Sequence, residues 1–382
     1  MTADTFRVFA LWGAHRQAPR VSGNEPSSID KGVPELAALG HEIVSVYPQE
    51  IYRNLPWLAR RVLQGRGLYL LSVLHVLRAL RRNDVIYTTD KAWAHWIARL
   101  KKRAILRNAL IFKWAGFDVD WLKIRSEPRC DLHRYYQTIV SFSNVIFATS
   151  PTDIDCIKAT LLGADAKIVF WPTAVDVDFY RGIRDVASGV STGVVAVGSD
   201  HMRDWPLVVE IARRGIRTTV LTEDRRAKRL IEDMGSSRPA TLELAFRVGL
   251  RRSAEIMANA DAILIATLPN ERFSGATTIG VAAALGKPLI LDEPRDFAAY
   301  GLIPGTSVEI FERGQIESGL AAIQRVQGDA AHAQRLGVNI TALADSLDTR
   351  HYATALAAAF QQSRPPKSFA STAMATDVAS VA

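Results

Sequence analysis

The 382-residue chain is 48% hydrophobic and 23% charged, enough apolar surface for two ordinary domain cores and too much for a disordered chain. Its two cysteines, Cys130 and Cys156, stand in no disulfide-framework or metal-ligand spacing, which argues against a stapled secreted scaffold or a zinc site and fits a reducing cytoplasm. The net charge of +8 is local: residues 52–107 hold thirteen Lys or Arg against two acids, a net +11, and the remainder is near −3.

Met1 to Arg7 has no basic stretch leading into an apolar signal core, so a secretory leader is not expected. Apolar runs bounded by Gly, Asp or Pro then alternate with helical patterns, the signature of βαβ units on a parallel sheet. The first half predicts strands at Phe6–Trp12, His41–Tyr47, Asp84–Thr88, Ala109–Lys113, Val145–Ala148 and Lys167–Trp171. Helices are expected at about Ser28–Leu39, Cys130–Phe142 and Asp153–Leu162.

Inside the basic window, Trp57-Leu58, Leu68 to Leu71, Val73-Leu74 and Val76-Leu77 lie between arginines. The uncharged run Gly67–Leu77 is too short to cross a bilayer, which takes about 20 apolar residues. Two readings stay open: an interfacial helix meeting anionic headgroups, or core-facing helices with solvated basic faces. No nucleic-acid-binding motif accompanies the charge, and nucleic acid is not expected as a partner.

After a small, polar stretch at Arg184–Gly189 the pattern restarts. Strands are predicted at Val194–Val197, Arg217–Leu221, Thr241–Phe246, Ala262–Ala266 and Pro288–Leu291, with helices at Asp204–Arg214, Arg252–Ala258 and Thr278–Leu285. The expected organisation is therefore α/β: a first Rossmann-like domain over 1–182, a second over 190–345, a helix over 346–362 returning to the first, and a disordered tail over 363–382.

The segment Phe273-Ser274-Gly275-Ala276-Thr277-Thr278 joins a strand to a small-residue helix that stops at Gly286. Free N–H groups at such a helix start, the helix dipole and two threonine hydroxyls suit a diphosphate, and Gly275 lets the backbone approach. An ordinary N-cap by Ser274 or Thr277 gives the same pattern. No Walker A loop and no nucleophile elbow occurs. Asp-x-Asp matches at Asp118/Asp120, Asp153/Asp155 and Asp176/Asp178 are short enough to arise by chance; only the first keeps a route to a metal, and neither metal nor cofactor is expected.

Three further segments carry a family resemblance. Val197-Gly198-Ser199-Asp200-His201-Met202-Arg203 matches a strand followed by Gly-x-x-x-x-Arg. Val281-Ala282-Ala283-Ala284-Leu285-Gly286-Lys287-Pro288-Leu289 matches Glu-Ala-Met-Ala-x-Gly-x-Pro-Val, and Trp171-Pro172-Thr173-Ala174-Val175-Asp176 with Phe179 matches a hinge of the form Ile-Pro-Asn-Gly-Val-Asp-x-x-x-Phe. With Val145–Ser150 before them, they fall in the order seen in the GT-B glycosyltransferases of retaining family 4, which the chain resembles from about Val145 to Val308.

The resemblance implies a GT-B fold, two Rossmann-like domains facing across a cleft, and transfer of a hexose-type sugar from a nucleotide diphosphate donor to a hydroxyl acceptor, with retention. It assigns the diphosphate to Arg203, Gly198 and the loop Ser274, Gly275, Ala276, Thr277 and Thr278, and the base to the backbone of Val248 and Gly249. An ion pair of Arg203 with Asp200 or Asp204 is the alternative for that residue.

The departures are informative. The glutamate that holds the ribose is Val281 here, with Glu271 as a substitute from the preceding loop, and the lysine after the arginine is missing, with Trp205 nearby. No histidine follows the fourth strand, which leaves Asp118, then His15, as catalytic candidates. A lipid-linked acceptor would suit a protein peripheral on the inner face of the cytoplasmic membrane, building bacterial polysaccharide or glycolipid. A nucleotide-sugar epimerase on the same fold, or a non-catalytic partner subunit, are the alternatives.

Overall fold

A computed structural model of the chain describes residues 5–13, 26, 32–54, 66–114, 118–127, 130–187, 192–269, 274–292 and 296–363, without the side chains of 52, 66–70, 118, 119 and 122. Among them are two six-stranded sheets, parallel throughout. The first holds β1 (Arg7–Leu11), β2 (Glu42–Val46), β3 (Val85–Thr88), β4 (Ala109–Trp114), β5 (Val145–Ala148) and β6 (Ile168–Phe170), in the order β2-β1-β3-β4-β5-β6. The second holds β7 (Val194–Val197), β8 (Thr218–Thr222), β9 (Leu242–Phe246), β10 (Ala262–Ile265), β11 (Leu289–Asp292) and β12 (Glu309–Phe311). Its order, β12-β11-β10-β7-β8-β9, reverses direction between β7 and β10, the arrangement of a dinucleotide-binding fold.

Both faces of each sheet are covered, which is why the strands read as continuous apolar runs. In the second sheet Val195, Leu221, Ile263 and Leu289 face the helix Ala276–Leu285, while Val194, Val220, Leu264 and Ile290 face the helices Trp205–Arg213 and Ile316–Gly328. Helix starts follow their caps: Ser150, Asp176, Asp204 and Asp348 each accept a backbone N–H from the first turn of the helix that follows.

Two neighbouring crossings join the units. Val175 pairs with Asp348, its N–H donating to the Leu347 carbonyl at 2.8 Å and its carbonyl accepting from Thr349 N–H at 3.0 Å. The helix Thr349–Gln362 then packs on the first sheet, where Tyr352, Leu356 and Phe360 are fully buried and the Tyr352 hydroxyl meets that of Tyr87 at 3.0 Å. Each such burial contributes about 1.5–3 kcal/mol, enough to hold the last helix on the opposite unit from β7–β12.

A second link lies beyond β11. The buried Asp296 carboxylate accepts hydrogen bonds from the Ser150 hydroxyl and from Thr152 Oγ1 (2.8 Å) and N–H (3.3 Å) at the start of the helix Pro151–Thr160. Four residues on, the Tyr300 hydroxyl donates to the Thr149 carbonyl at 2.7 Å. Burial pushes the Tyr300 phenol up to about 12, so it stays a donor.

Candidate functional site

The ends of β7 and β10 lie side by side where the strand order reverses, and their following segments are stitched together. The Asp204 N–H donates to Ala266 O at 3.0 Å, Leu268 N–H to Met202 O at 2.7 Å, and Arg203 pairs with Thr267 across an antiparallel bridge. Asp292 at the end of β11 braces this seam from below: its carboxylate accepts from Thr267 N–H at 3.0 Å and from Arg313 Nε at 2.9 Å.

The seam fixes Arg203, which is 4% exposed, with its side chain across the backbone of Gly198. A Cβ added at Gly198 (φ 155) would stand 1.8 Å from Arg203 Nε, and one added at Gly275 would stand 3.7 Å from Nη1. The guanidinium therefore lies between the two glycine loops the sequence singled out. Its Nη2 is 3.5 Å from Asp200 Oδ2, but this is no surface pair: Asp200 is itself held by Met202 N–H at 2.9 Å and by the Ser274 hydroxyl at 3.3 Å.

The helix Ala276–Leu285 starts beside Arg203. Gly275 occupies the N-cap position with φ 109, and no side chain of the described residues caps the first turn, because Ser274 is turned to Asp200. Of the two sequence readings, the ordinary side-chain cap is thus not realised. Seven of the helix's last eight residues are apolar or glycine and all eight are buried, and Gly280 lies so close to the hinge that a Cβ would come within 2.7 Å of Val175. The partial positive charge of the helix start thus lies beside the Arg203 guanidinium.

These groups open on a cleft of about 460 Å³. Gly198, Arg203, Val248, Ser274, Gly275, Ala276, Thr277 and Thr278 all line it, and Gly249 follows Val248 with φ 79 at the start of the helix Leu250–Ala258. Val281 lines it too, buried and apolar. Leu221, Val248, Leu250 and Met257 are among its apolar lining, with Glu223 and Arg247 among the polar lining.

The other side of the cleft comes from residues the sequence reading did not single out as ligands: Thr149 and Asp153 after β5, and Thr173 and Tyr180 from the hinge. Tyr180 is buried, and burial followed by the nearby Asp176 pushes its phenol up to about 12, leaving a protonated hydroxyl at the cleft wall. The signal for Asp153 was present in Ser150-Pro151, a helix start at the cleft-facing end of a strand.

His15 and Glu271 lie outside the described residues. Asp118 opens the helix Asp118–Ser126, its side chain also outside the description. Asp120 is engaged with Lys91 Nζ at 2.9 Å and accepts from the Tyr136 hydroxyl, and burial together with Asp120 holds that phenol well above its usual range. No group of three potential metal ligands stands together among the described residues. Trp205 is buried in the core and donates its indole N–H to Asp224 at 3.1 Å, a packing residue at the place where the family carries a lysine.

The sequence matches no family model and no curated protein. Solved structures do match. Sucrose-phosphate synthase from Thermosynechococcus elongatus aligns with a TM-score of 0.67 at 12% identity, over 93% of this chain and 98% of that one. HepE from Anabaena, solved in complex with UDP and glucose, aligns at 0.64 and 14% identity, over 94% and 100%. A glycosyltransferase from Rickettsia africae aligns at 0.66 and 12% identity, over 94% and 98%. The chain has the GT-B fold. Its neighbours are GT-B glycosyltransferases along nearly their whole length, which is consistent with the family 4 resemblance read from Val145–Val308. In GT-B terms, β7–β12 form the second unit, and the cleft lies at the ends of its strands, facing the loops after β5 of the first.

Proposed function

We propose that this GT-B protein is a retaining hexosyltransferase that moves a sugar from a nucleotide diphosphate donor to a hydroxyl acceptor without a metal, in bacterial polysaccharide or glycolipid assembly. The observation that carries the reading is the Arg203 guanidinium laid over Gly198, beside the start of the helix Ala276–Leu285 that no side chain of the described residues caps. A cation and a row of N–H groups converge where a leaving diphosphate would gather charge. The neighbour solved with UDP and glucose supports a nucleotide sugar as donor.

In this reading the diphosphate meets Arg203, the N–H groups of Gly275 to Thr278 and the threonine hydroxyls, and the base lies against Leu221, Val248 and Leu250. The ribose lies between them, where Val281 offers no carboxylate; Glu271 and the Tyr180 hydroxyl take over that contact. The transferred sugar points to the first unit, where Asp153, with Asp118 and His15, supplies negative charge or a proton acceptor beside the anomeric carbon as the leaving group departs. The acceptor, a lipid-linked hydroxyl compound, enters from the first unit, and the basic stretch 52–107 holds the protein on the inner face of the cytoplasmic membrane.

Arg203→Ala tests the diphosphate contact. Titration calorimetry with UDP, GDP and ADP should identify one that binds the native chain and binds the variant about 10- to 100-fold more weakly, the loss of a charge-assisted hydrogen-bond pair. Equal affinity in both proteins would refute the assignment. Val281 favours a second reading, a protein that binds nucleotide sugar without turning it over; that protein would bind the donor and release no free nucleoside diphosphate with any acceptor extract.

A further inference from the structure

Because β1–β6 run parallel, every loop that enters a strand lies at one end of the first sheet, opposite the end that faces the donor cleft. Those loops share an unusual composition. Ile105 before β4 and Leu162 before β6 are 60% and 82% exposed, large apolar side chains held in water at two points along one edge, whereas Leu39 before β2, 49% exposed, shares its pocket with Glu35, Asp176, Asp178 and Asp348. Beside them stand the exposed cations Arg78, Arg81, Arg82, Lys102, Arg103 and Arg107, from the helix ends and loops before β3 and β4.

The acids of the described strand-entry segments are few and engaged. Glu42 and Asp84 are tied to Arg7 at 2.8 and 3.1 Å, and Asp165 faces Lys158 at 3.6 Å. The edge is also braced. Asn108 donates to the carbonyls of Arg81 and Asp84 at 2.8 and 2.9 Å, locking the two cationic loops together. Lys101 Nζ reaches Asn108 O at 2.9 Å and Asn144 Oδ1 at 2.7 Å. The Leu162 backbone is gripped at both its N–H and its carbonyl by Gln137, each at 2.9 Å. Ala104 is held at φ 57, a left-handed conformation that an alanine adopts at a cost, in the turn that presents Ile105.

The helix Arg66–Ala79 within the basic window buries Val73 and Val76 in the core and leaves Leu74 47% exposed. Rigid apolar tips beside a group of exposed cations on one edge match the chemistry of a bilayer surface, with acyl chains for the tips and anionic headgroups for the cations. We infer that the strand-entry edge of the first unit, with Ile105 and Leu162 as its apolar contacts, docks this protein on membranes containing anionic lipid. The inference rests on the membrane-facing part of the proposed function and is independent of its chemistry, since the edge and the donor cleft lie at opposite ends of the fold.

The test is co-sedimentation of the full chain with vesicles of phosphatidylcholine alone and of phosphatidylcholine mixed with phosphatidylglycerol. Binding is expected to the mixed vesicles only, to fall as salt rises, and to weaken by at least about tenfold in the triple variant Arg81→Glu, Arg82→Glu, Arg107→Glu. Ile105→Ser and Leu162→Ser, exposed single changes that leave folding intact, should each weaken it as well. The nucleoside diphosphate that binds the native chain should raise the melting temperature of every variant as it does the native chain's, so loss of docking and failure of the transferase reading give different results. Equal binding to both vesicle types, binding to neither, native-like binding by both serine variants, or tight binding to single-stranded RNA with no vesicle binding would each overturn it.

Discussion

Gly198→Ala is expected to weaken nucleoside diphosphate binding by about a hundredfold and to cost about 1–3 kcal/mol of stability, the range for forcing an atom into a filled space. The new Cβ would stand 1.8 Å from Arg203 Nε and 2.6 Å from its Cδ, so the guanidinium must leave its place between the two glycine loops. It cannot move without disturbing the seam, because the neighbouring backbone is tied to Ala266 and Leu268. Thermal melts and calorimetry on the single and double variants separate the causes. With Arg203→Ala already present the clash is gone, and Gly198→Ala should then cost less, only the strain of an alanine at φ 155. Additive costs would place the effect in the glycine's own backbone instead.

Asp296→Ala should lower the unfolding free energy by about 2–3 kcal/mol, because hydrogen bonds to a buried charged group are among the stronger ones and the hydroxyls of Ser150 and Thr152 lose their acceptor. The carboxylate also sits at the start of the helix Pro151–Thr160, where a negative charge is stabilised by the helix dipole. Since it bridges the loop after β11 to the loop after β5, the variant should also loosen the two units, seen as a larger radius of gyration in solution scattering. A urea transition unchanged in midpoint would show that the bridge contributes nothing.

The fold was legible because each parallel strand is buried on both faces and reads as an apolar run closed by Gly, Asp or Pro. β7, predicted at Val194–Val197, is observed there, and β5 likewise at Val145–Ala148. β12 escaped notice because it begins with Glu309, a charge tolerated in a strand because Arg325 and His332 meet it at 2.6 and 2.9 Å from the two helices that follow. The helix Val177–Arg184 was hidden within the hinge motif, although Asp176 caps it.

The Arg203 end of the candidate site was readable since its glycines and Arg203 fall in local motifs with a mechanical meaning. The opposite wall was not. Asp153, Thr173 and Tyr180 reach the cleft through the meeting of two units, and the contact of Asp296 with Ser150 joins residues 146 positions apart. No local spacing records such a meeting. The basic window carried its charge count openly, but not which of its apolar side chains are covered: Val73 and Val76 are buried, Leu74 and Ile105 exposed.

The most direct test of the central claim is a crystal structure of the protein with the nucleoside diphosphate that binds it. The account predicts the diphosphate within hydrogen-bonding distance of the Arg203 guanidinium and of the N–H groups at the start of the helix Ala276–Leu285, with the base against Leu221 and Val248. A nucleotide bound elsewhere, or bound in this cleft with its phosphates turned away from Arg203 and Gly275, would contradict it.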